Sequence, residues 1–279
     1  MFTPMHDLQL LHAVNEISIA AGKEILDVYN ADQLIEVSIK QDDSPLTDAD
    51  RRAHRLIVDR LSSLTPDIPV LSEESDVIDY SIRKTWQRYW LIDPLDGTKE
   101  FINRNGEFTV NIALIENGRS VAGVVHVPVS GISYFGGTGL KAWKQDSNRE
   151  AGEAYEISCR PIEKGRELCI VASRRHLGDR MSEIIETIEG HFGEVSLTSM
   201  GSSLKMCLLA EGKADIYPRM APTCEWDTAA AHGILAAAGG EIVDLQFQPL
   251  SYNSKPDLLN PFFIALADPL FPWQPLLDK

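Results

Sequence analysis

The chain reads as an α+β protein on two observations: strands joined by hairpin signals fill its first half, and strands alternate with helices through its second half. Consecutive hairpins imply a largely antiparallel sheet. Alternation implies helices laid over a sheet. A polar stretch, residues 144–155, separates the two patterns and divides the chain into an N-terminal lobe, 1–150, and a C-terminal lobe, 151–279.

Taken in order, Leu11, Val14, Ser18, Ala21, Ile25 and Val28 recur at spacings of three and four, which is one face of an amphipathic helix between Asp7 and Tyr29. A short strand is expected over 35–39, then a polar loop with a breaker at Pro45. Ala53, Ile57 and Leu61 form the apolar face of a second helix. Thr47, followed three residues later by Asp50, fits a capping box at its start. The same geometry could turn the Asp50 carboxylate toward a metal. A short strand over 68–71 ends at the acidic pair Glu73-Glu74, and a helix over 81–88 leads into an apolar strand that begins at Tyr89.

Strands over 108–115 and 121–127 are joined at Asn117-Gly118, a hairpin step. Strands over 132–135 and 140–143 are joined through Gly136-Gly137-Thr138-Gly139, which lacks the spacing and the following helix of a nucleotide loop. Beyond the divide come a strand over 168–172, a helix over 179–189, a strand over 195–198, a helix over 202–211 and a strand over 214–217. An alanine-rich helix follows, with Asp227 at the position of an N-cap, and stops at Gly239-Gly240. Final strands are expected around Ile242 and over 262–266.

With 279 residues and 44% hydrophobic content the chain can bury a sizeable core. No apolar run approaches the roughly 20 residues that span a bilayer, and the N-terminus lacks a basic region followed by an apolar one. A soluble, intracellular protein is expected. Cys159, Cys169, Cys207 and Cys224 form no CxxC pair and lie among apolar residues, so they read as reduced core thiols. A net charge of -15 argues against nucleic acid as a partner. A phosphate-ester substrate would need that charge offset locally, and bound cations are the means.

The chemistry concentrates at Asp93-Pro94-Leu95-Asp96-Gly97-Thr98. The apolar strand stops at Asp93, because proline cannot continue a central ladder. Asp93 and Asp96 then offer two hard oxygen ligands, while Gly97 and Thr98 let the backbone turn and present N–H groups to an anion. A surface turn in which Asp96 caps a short helix accounts for the same residues equally well.

Residues 90–101, WLIDPLDGTKEF, preceded by LSEES and followed far downstream by EWDTAAAH, resemble the inositol monophosphatase-like, lithium-sensitive phosphatase superfamily. Lys99-Glu100-Phe101 resembles its 3′(2′),5′-bisphosphate nucleotidase branch, where inositol monophosphatases usually carry Thr-Asn in place of Lys99-Glu100. The likeness runs from the SPLTDAD segment to the final strands. It implies a layered αβαβα sandwich with the active site between two sheets. It further implies a magnesium-dependent phosphatase, with two or three Mg2+ ions per site, that removes the 3′-phosphate of 3′-phosphoadenosine 5′-phosphate. Lithium inhibition and a cytoplasmic location belong to the same expectation, with peripheral attachment to the inner membrane left open.

Residue by residue, the resemblance places the metal ligands at Glu73, Asp93, the Leu95 carbonyl, Asp96 and Asp227. Asp50 and Thr98 match the pair that orients the attacking water, beside metal-bound Glu73, and Gly97 with Thr98 matches the phosphate cradle. The segment Ser202-Ser203-Leu204-Lys205 and Arg219 resemble positions around the nucleotide and its second phosphate, and His176 is a weaker candidate on that side. Three alternatives accompany this reading. One is an inositol or sugar monophosphatase of the same superfamily. Another is a haloacid-dehalogenase-type phosphatase, disfavoured because its two aspartates are two residues apart whereas Asp93 and Asp96 are three apart. The last is a non-enzymatic metal- or nucleotide-binding protein.

Overall fold

The protein is described from a computed structural model covering residues 4–31, 37–39, 45–147, 153–172 and 179–277. Helix α1 (Pro4–Tyr29) is followed by an antiparallel ribbon of β1 (Val37–Ile39) and β2 (Pro45–Thr47), and then by α2 (Asp48–Leu64). β3 (Val70–Ser72) and the short α3 (Tyr80–Arg83) lead to β4 (Arg88–Asp96), α4 (Thr98–Ile102), β5 (Thr109–Glu116), β6 (Arg119–Val127), β7 (Ile132–Gly137), β8 (Ala142–Asp146) and β9 (Tyr155–Ile157). Strands β3 to β9 form one seven-stranded sheet in sequence order. Only the β3–β4 pair is parallel among its described ladders.

Alternation along these strands sets the layers, because successive side chains face opposite ways. Trp90, Ile92, Val110, Ile112 and Leu114 pack with Leu11, Val14, Ile25, Ala53, Ile57 and Leu61, so α1 and α2 cover one face. Tyr89, Leu91, Ala113, Ile115 and Val125 face the other way, into the rest of the protein.

The remaining elements are β10 (Leu168–Val171), α5 (Asp179–Phe192), β11 (Val195–Thr198), α6 (Leu204–Ala210), β12 (Ile216–Arg219), α7 (Glu225–Ala237), β13 (Glu241–Asp244), β14 (Phe263–Leu266) and α8 (Trp273–Leu277). Their five strands form a mixed sheet in the order β11-β10-β12-β14-β13. Residues of α6 and α7 share one core with the inner faces of both sheets. On the outer face of the second sheet, Leu168, Ile170, Ile216 and Ile264 pack with Met181, Ile185 and Ile188 of α5 and with Trp273 and Leu276 of α8. The sequence of layers is therefore αβαβα.

Helix α7 rests on the backbone of β6. A Cβ on Gly123 would lie 1.9 Å from the Ala230 carbonyl oxygen, and one on Gly233 would lie 2.8 Å from Ser120 Oγ. The absence of side chains at both contact points lets helix and strand meet directly.

Several local expectations are corrected. β4 does not stop at Asp93 but runs through Pro94 to Asp96, pairing Asp93 with Asn111 and Asp96 with Thr109. Three steps on β4 thus oppose two on β5, a bulge in which Pro94 needs no ladder N–H. The helix expected over 81–88 is the four-residue α3, and α6 starts at Leu204 rather than 202. β9 pairs with β8, so the seven-stranded sheet continues past residue 150. Positions 35 and 36 of the first expected strand lie outside the described residues, and β1 covers the remainder.

Candidate active site

The bulge is what makes a site of the two strand aspartates. In a regular strand, residues three apart face opposite ways, and the extra residue between Asp93 and Asp96 brings both to the same side. Asp93, Asp96 and Asp227 each present a carboxylate oxygen, and these lie within 4.8 Å of one another. Asp93 comes from the centre of β4 and is only 2% exposed, with Oδ1 accepting from the Leu95 N–H at 3.0 Å. Asp227 comes from the opposite side of the cleft, in the first turn of α7.

Asp227 is not the N-cap of α7. That position is Cys224, whose Sγ and the Asp227 N–H form one arm of a capping box, while Asp227 Oδ2 accepts from the Cys224 N–H at 2.8 Å in the other. Cys224 is thus an anchor of the site rather than a plain core thiol. Asp96 likewise caps nothing, since the N-cap of α4 is Gly97 at φ 95.

Burial pushes the Asp93 carboxyl well above the usual carboxylate range, and the neighbouring Glu73, Asp96 and Asp227 push it further. Asp227 is pushed up to about 8, again by burial first and by Asp96 next. Such crowding of buried like charges is unfavourable unless a cation is bound or protons are taken up. The donor set is all oxygen, which suits a hard divalent cation. These residues therefore fit a metal.

Glu73 follows β3, where its N–H donates to the Ile92 carbonyl at 3.1 Å, and its charge adds to the upward push on the Asp93 carboxyl. Leu95 is buried, and its carbonyl accepts from Thr98 Oγ1 at 3.4 Å. Asp50 serves the capping box and the site together. Its Oδ2 accepts from the Thr47 N–H at 2.8 Å and from Thr47 Oγ1 at 2.6 Å, while Oδ1 faces Thr98 Oγ1 at 3.5 Å.

A cavity of about 300 Å³ opens beside the carboxylates. Asp96, Gly97 and Asp227 line it together with Lys205 and Arg219, and Glu100, Glu107 and Tyr217 are also on its wall. Lys205 Nζ donates to the Ser202 carbonyl at 3.1 Å and lies 5.8 Å from the centre of the Tyr217 ring. Burial lowers its pKa, and the charge of Asp96 opposes that shift. The Arg219 guanidinium is held by the carbonyls of Ala221 and Pro222, at 3.2 and 3.3 Å. Ser202 lines the cavity, but its hydroxyl is committed to Asp96 Oδ2. Lys99 is exposed outside this wall, and His176 lies outside the described residues.

Two residues of the site, Thr109 and Asn111, went unassigned in the sequence, and Ser203, expected beside the nucleotide, is bonded to Asp96. Asn111 Nδ2 reaches Ser203 Oγ at 2.7 Å and Asp96 Oδ2 at 3.3 Å, and Thr109 Oγ1 lies 2.6 Å from Ser202 Oγ. Ser203 Oγ donates to Asp96 Oδ2 at 2.7 Å. The available signal was Thr109 and Asn111, two polar residues two apart on one face of an otherwise apolar strand.

Comparison with known proteins extends the local picture to the whole chain. A family model described as the inositol monophosphatase family matches residues 7–263. The chain is 49% identical to the 3′(2′),5′-bisphosphate nucleotidase CysQ of Salmonella typhimurium, over 91% of this chain and 98% of the relative. It is 48% identical to the protein of that name from Escherichia coli K12, with the same coverage. The crystal structure of CysQ from Bacteroides thetaiotaomicron superposes with a TM-score of 0.81 at 43% identity, covering 93% of this chain and 97% of that one. The extragenic suppressor protein suhB of Bartonella henselae shares the fold at a TM-score of 0.75 and 24% identity, covering 97% and 99%.

Proposed function

Because the chain belongs to the inositol monophosphatase family, we propose that this site is that of a magnesium-dependent 3′(2′),5′-bisphosphate nucleotidase. It converts 3′-phosphoadenosine 5′-phosphate to AMP and phosphate. One observation carries the substrate assignment: a single cavity is lined by Asp96 and Asp227 and also by Lys205 and Arg219. A nucleotide bisphosphate has one phosphate for each. The reacting phosphate belongs at the carboxylates, and the second is neutralised by an ammonium point charge and a guanidinium fork. An inositol monophosphate brings no second phosphate for either cation.

Glu73, Asp93, the Leu95 carbonyl, Asp96 and Asp227 would hold the metal. Mg2+ bound there supplies charge for the phosphate, a more acidic water and stabilisation of the departing ribose oxygen. Asp50 and Thr98 orient the attacking water. The Thr47 cap fixes Asp50 Oδ2 and leaves Oδ1 directed at the Thr98 hydroxyl, so the hydroxyl lone pairs are aimed by a carboxylate that does not move. Gly97, in the left-handed region, turns the backbone so that its N–H and that of Thr98 receive the phosphate oxygens. The burial of Asp93 keeps bulk water from screening these charges. On this reading the substrate is a small nucleotide and the enzyme works in the cytoplasm. No helix of the described residues is long and apolar enough to cross a membrane.

Asp93→Asn tests the metal assignment. It removes one charge from the most crowded position, so the protein should remain folded and lose at least about two orders of magnitude in kcat. Substantial turnover at saturating Mg2+ would rule out Asp93 as a ligand.

A further inference from the structure

Asp96 is the most heavily bonded carboxylate of the cluster. Its Oδ2 accepts from the Ser202 hydroxyl, from the Ser203 hydroxyl at 2.7 Å, from the Ser203 N–H at 2.8 Å and from Asn111 Nδ2 at 3.3 Å. One carboxylate oxygen offers about two lone-pair directions, so these four donors more than fill it. Two-oxygen coordination of a cation by Asp96 would require breaking this set, so a metal can use only Oδ1.

The donors come from both sides of the cleft. Asn111 is on β5, two residues from Thr109, which faces Asp96 across the ladder. Ser202 and Ser203 belong to the loop before α6. Consecutive residues of extended chain send their side chains in opposite directions. Here Ser202 adopts φ 52 and Ser203 φ -64, which brings both hydroxyls onto one carboxylate. A left-handed conformation at a non-glycine residue is unfavourable and marks a backbone held in place by its surroundings. The preceding Gly201 permits the approach, since a Cβ there would lie 2.7 Å from the Glu107 carbonyl oxygen. The Ser203 hydroxyl accepts from Asn111 Nδ2 and also lies 3.0 Å from the backbone carbonyl of Asp227. It is therefore wedged between two carboxylate-bearing elements of the cluster.

We propose that Ser203 and Asn111 are positioning residues that restrict Asp96 to one-oxygen coordination and set the separation of Asp96 from Asp227 across the cleft. The proposal rests on the metal-site reading above. Ser203 contributes its hydroxyl and Asn111 its amide, and neither touches the substrate phosphate.

The test is Mg2+ binding to the metal-stripped protein, measured by isothermal titration calorimetry without substrate, for wild type, Ser203→Ala, Ser203→Thr, Asn111→Ala and Asp96→Asn. Partners that orient a metal ligand are worth roughly 10–100-fold in affinity. Ser203→Ala and Asn111→Ala should each weaken Mg2+ binding by about tenfold or more, and Ser203→Thr, which keeps the hydroxyl, should restore most of it. At saturating Mg2+, the alanine variants should lower kcat while leaving the nucleotide KM within about twofold. Circular dichroism identifies a variant that fails to fold, and the other alanine variant then decides. Unchanged Mg2+ affinity in the folded alanine variants, with weakened binding in Asp96→Asn, would overturn the proposal alone. No Mg2+ uptake by the wild type would overturn the metal-site reading, and this proposal with it.

Discussion

His126 shows how a single buried group makes stability depend on pH. It is 3% exposed, its Nδ1 lies 2.9 Å from Ser133 Oγ, and a Cβ on Gly22 of α1 would meet its ring at 2.7 Å. Burial lowers its pKa to about 4. The unfolded chain, with an ordinary pKa near 6.5, takes up the proton first, so the stability held above about pH 6.5 is lost progressively as pH falls toward 4. This one group accounts for roughly 3 kcal/mol over that window. Urea unfolding at pH 7 and pH 5 should show a distinctly smaller loss for His126→Asn than for wild type. Equal losses would show that His126 is not held neutral. At this same scale the motif aspartates were legible, whereas Asn111, Thr109 and the bond of Ser203 to Asp96 were not. Their importance comes from pairing across the strand and across the cleft, and a linear sequence shows neither.

At the scale of the element, β4 and α7 carry the site. The sequence shows that β4 is apolar and that Pro94 interrupts it, but not that the interruption is a bulge with pairing resumed at Asp96. That outcome depends on the partner strand, whose register is a tertiary property. Helix α7 was legible from its alanine content, which suits a helix that must lie close to a sheet. The closeness itself resides in Gly123 and Gly233. Gly123→Ala would place a methyl against the Ala230 backbone and lift α7, with Asp227 in its first turn. A destabilisation of roughly 1–3 kcal/mol or more is expected, read as a lower urea midpoint, together with weaker Mg2+ binding. A variant with unchanged midpoint and unchanged metal affinity would show that this contact does not position the helix.

For the whole molecule, the period-two strands and the later helix–strand alternation expressed the α+β class. The layering needed the family resemblance, because strand order and the face each helix covers are set by contacts between distant segments. The helices α6 and α7 lie between the sheets and bury their side chains in a shared core. Asp93, Asp96 and Asp227 gather where β4 and α7 approach each other across that core. Against a net charge of -15, Lys205 and Arg219 stand at the cavity beside a carboxylate cluster that could hold a cation. The most direct measurement is Mg2+-dependent phosphate release from 3′-phosphoadenosine 5′-phosphate and from inositol 1-phosphate, compared as kcat/KM. A clear preference for the nucleotide, with AMP as product, is expected. A preference for the inositol ester would contradict the roles given to Lys205 and Arg219 and the nucleotidase assignment.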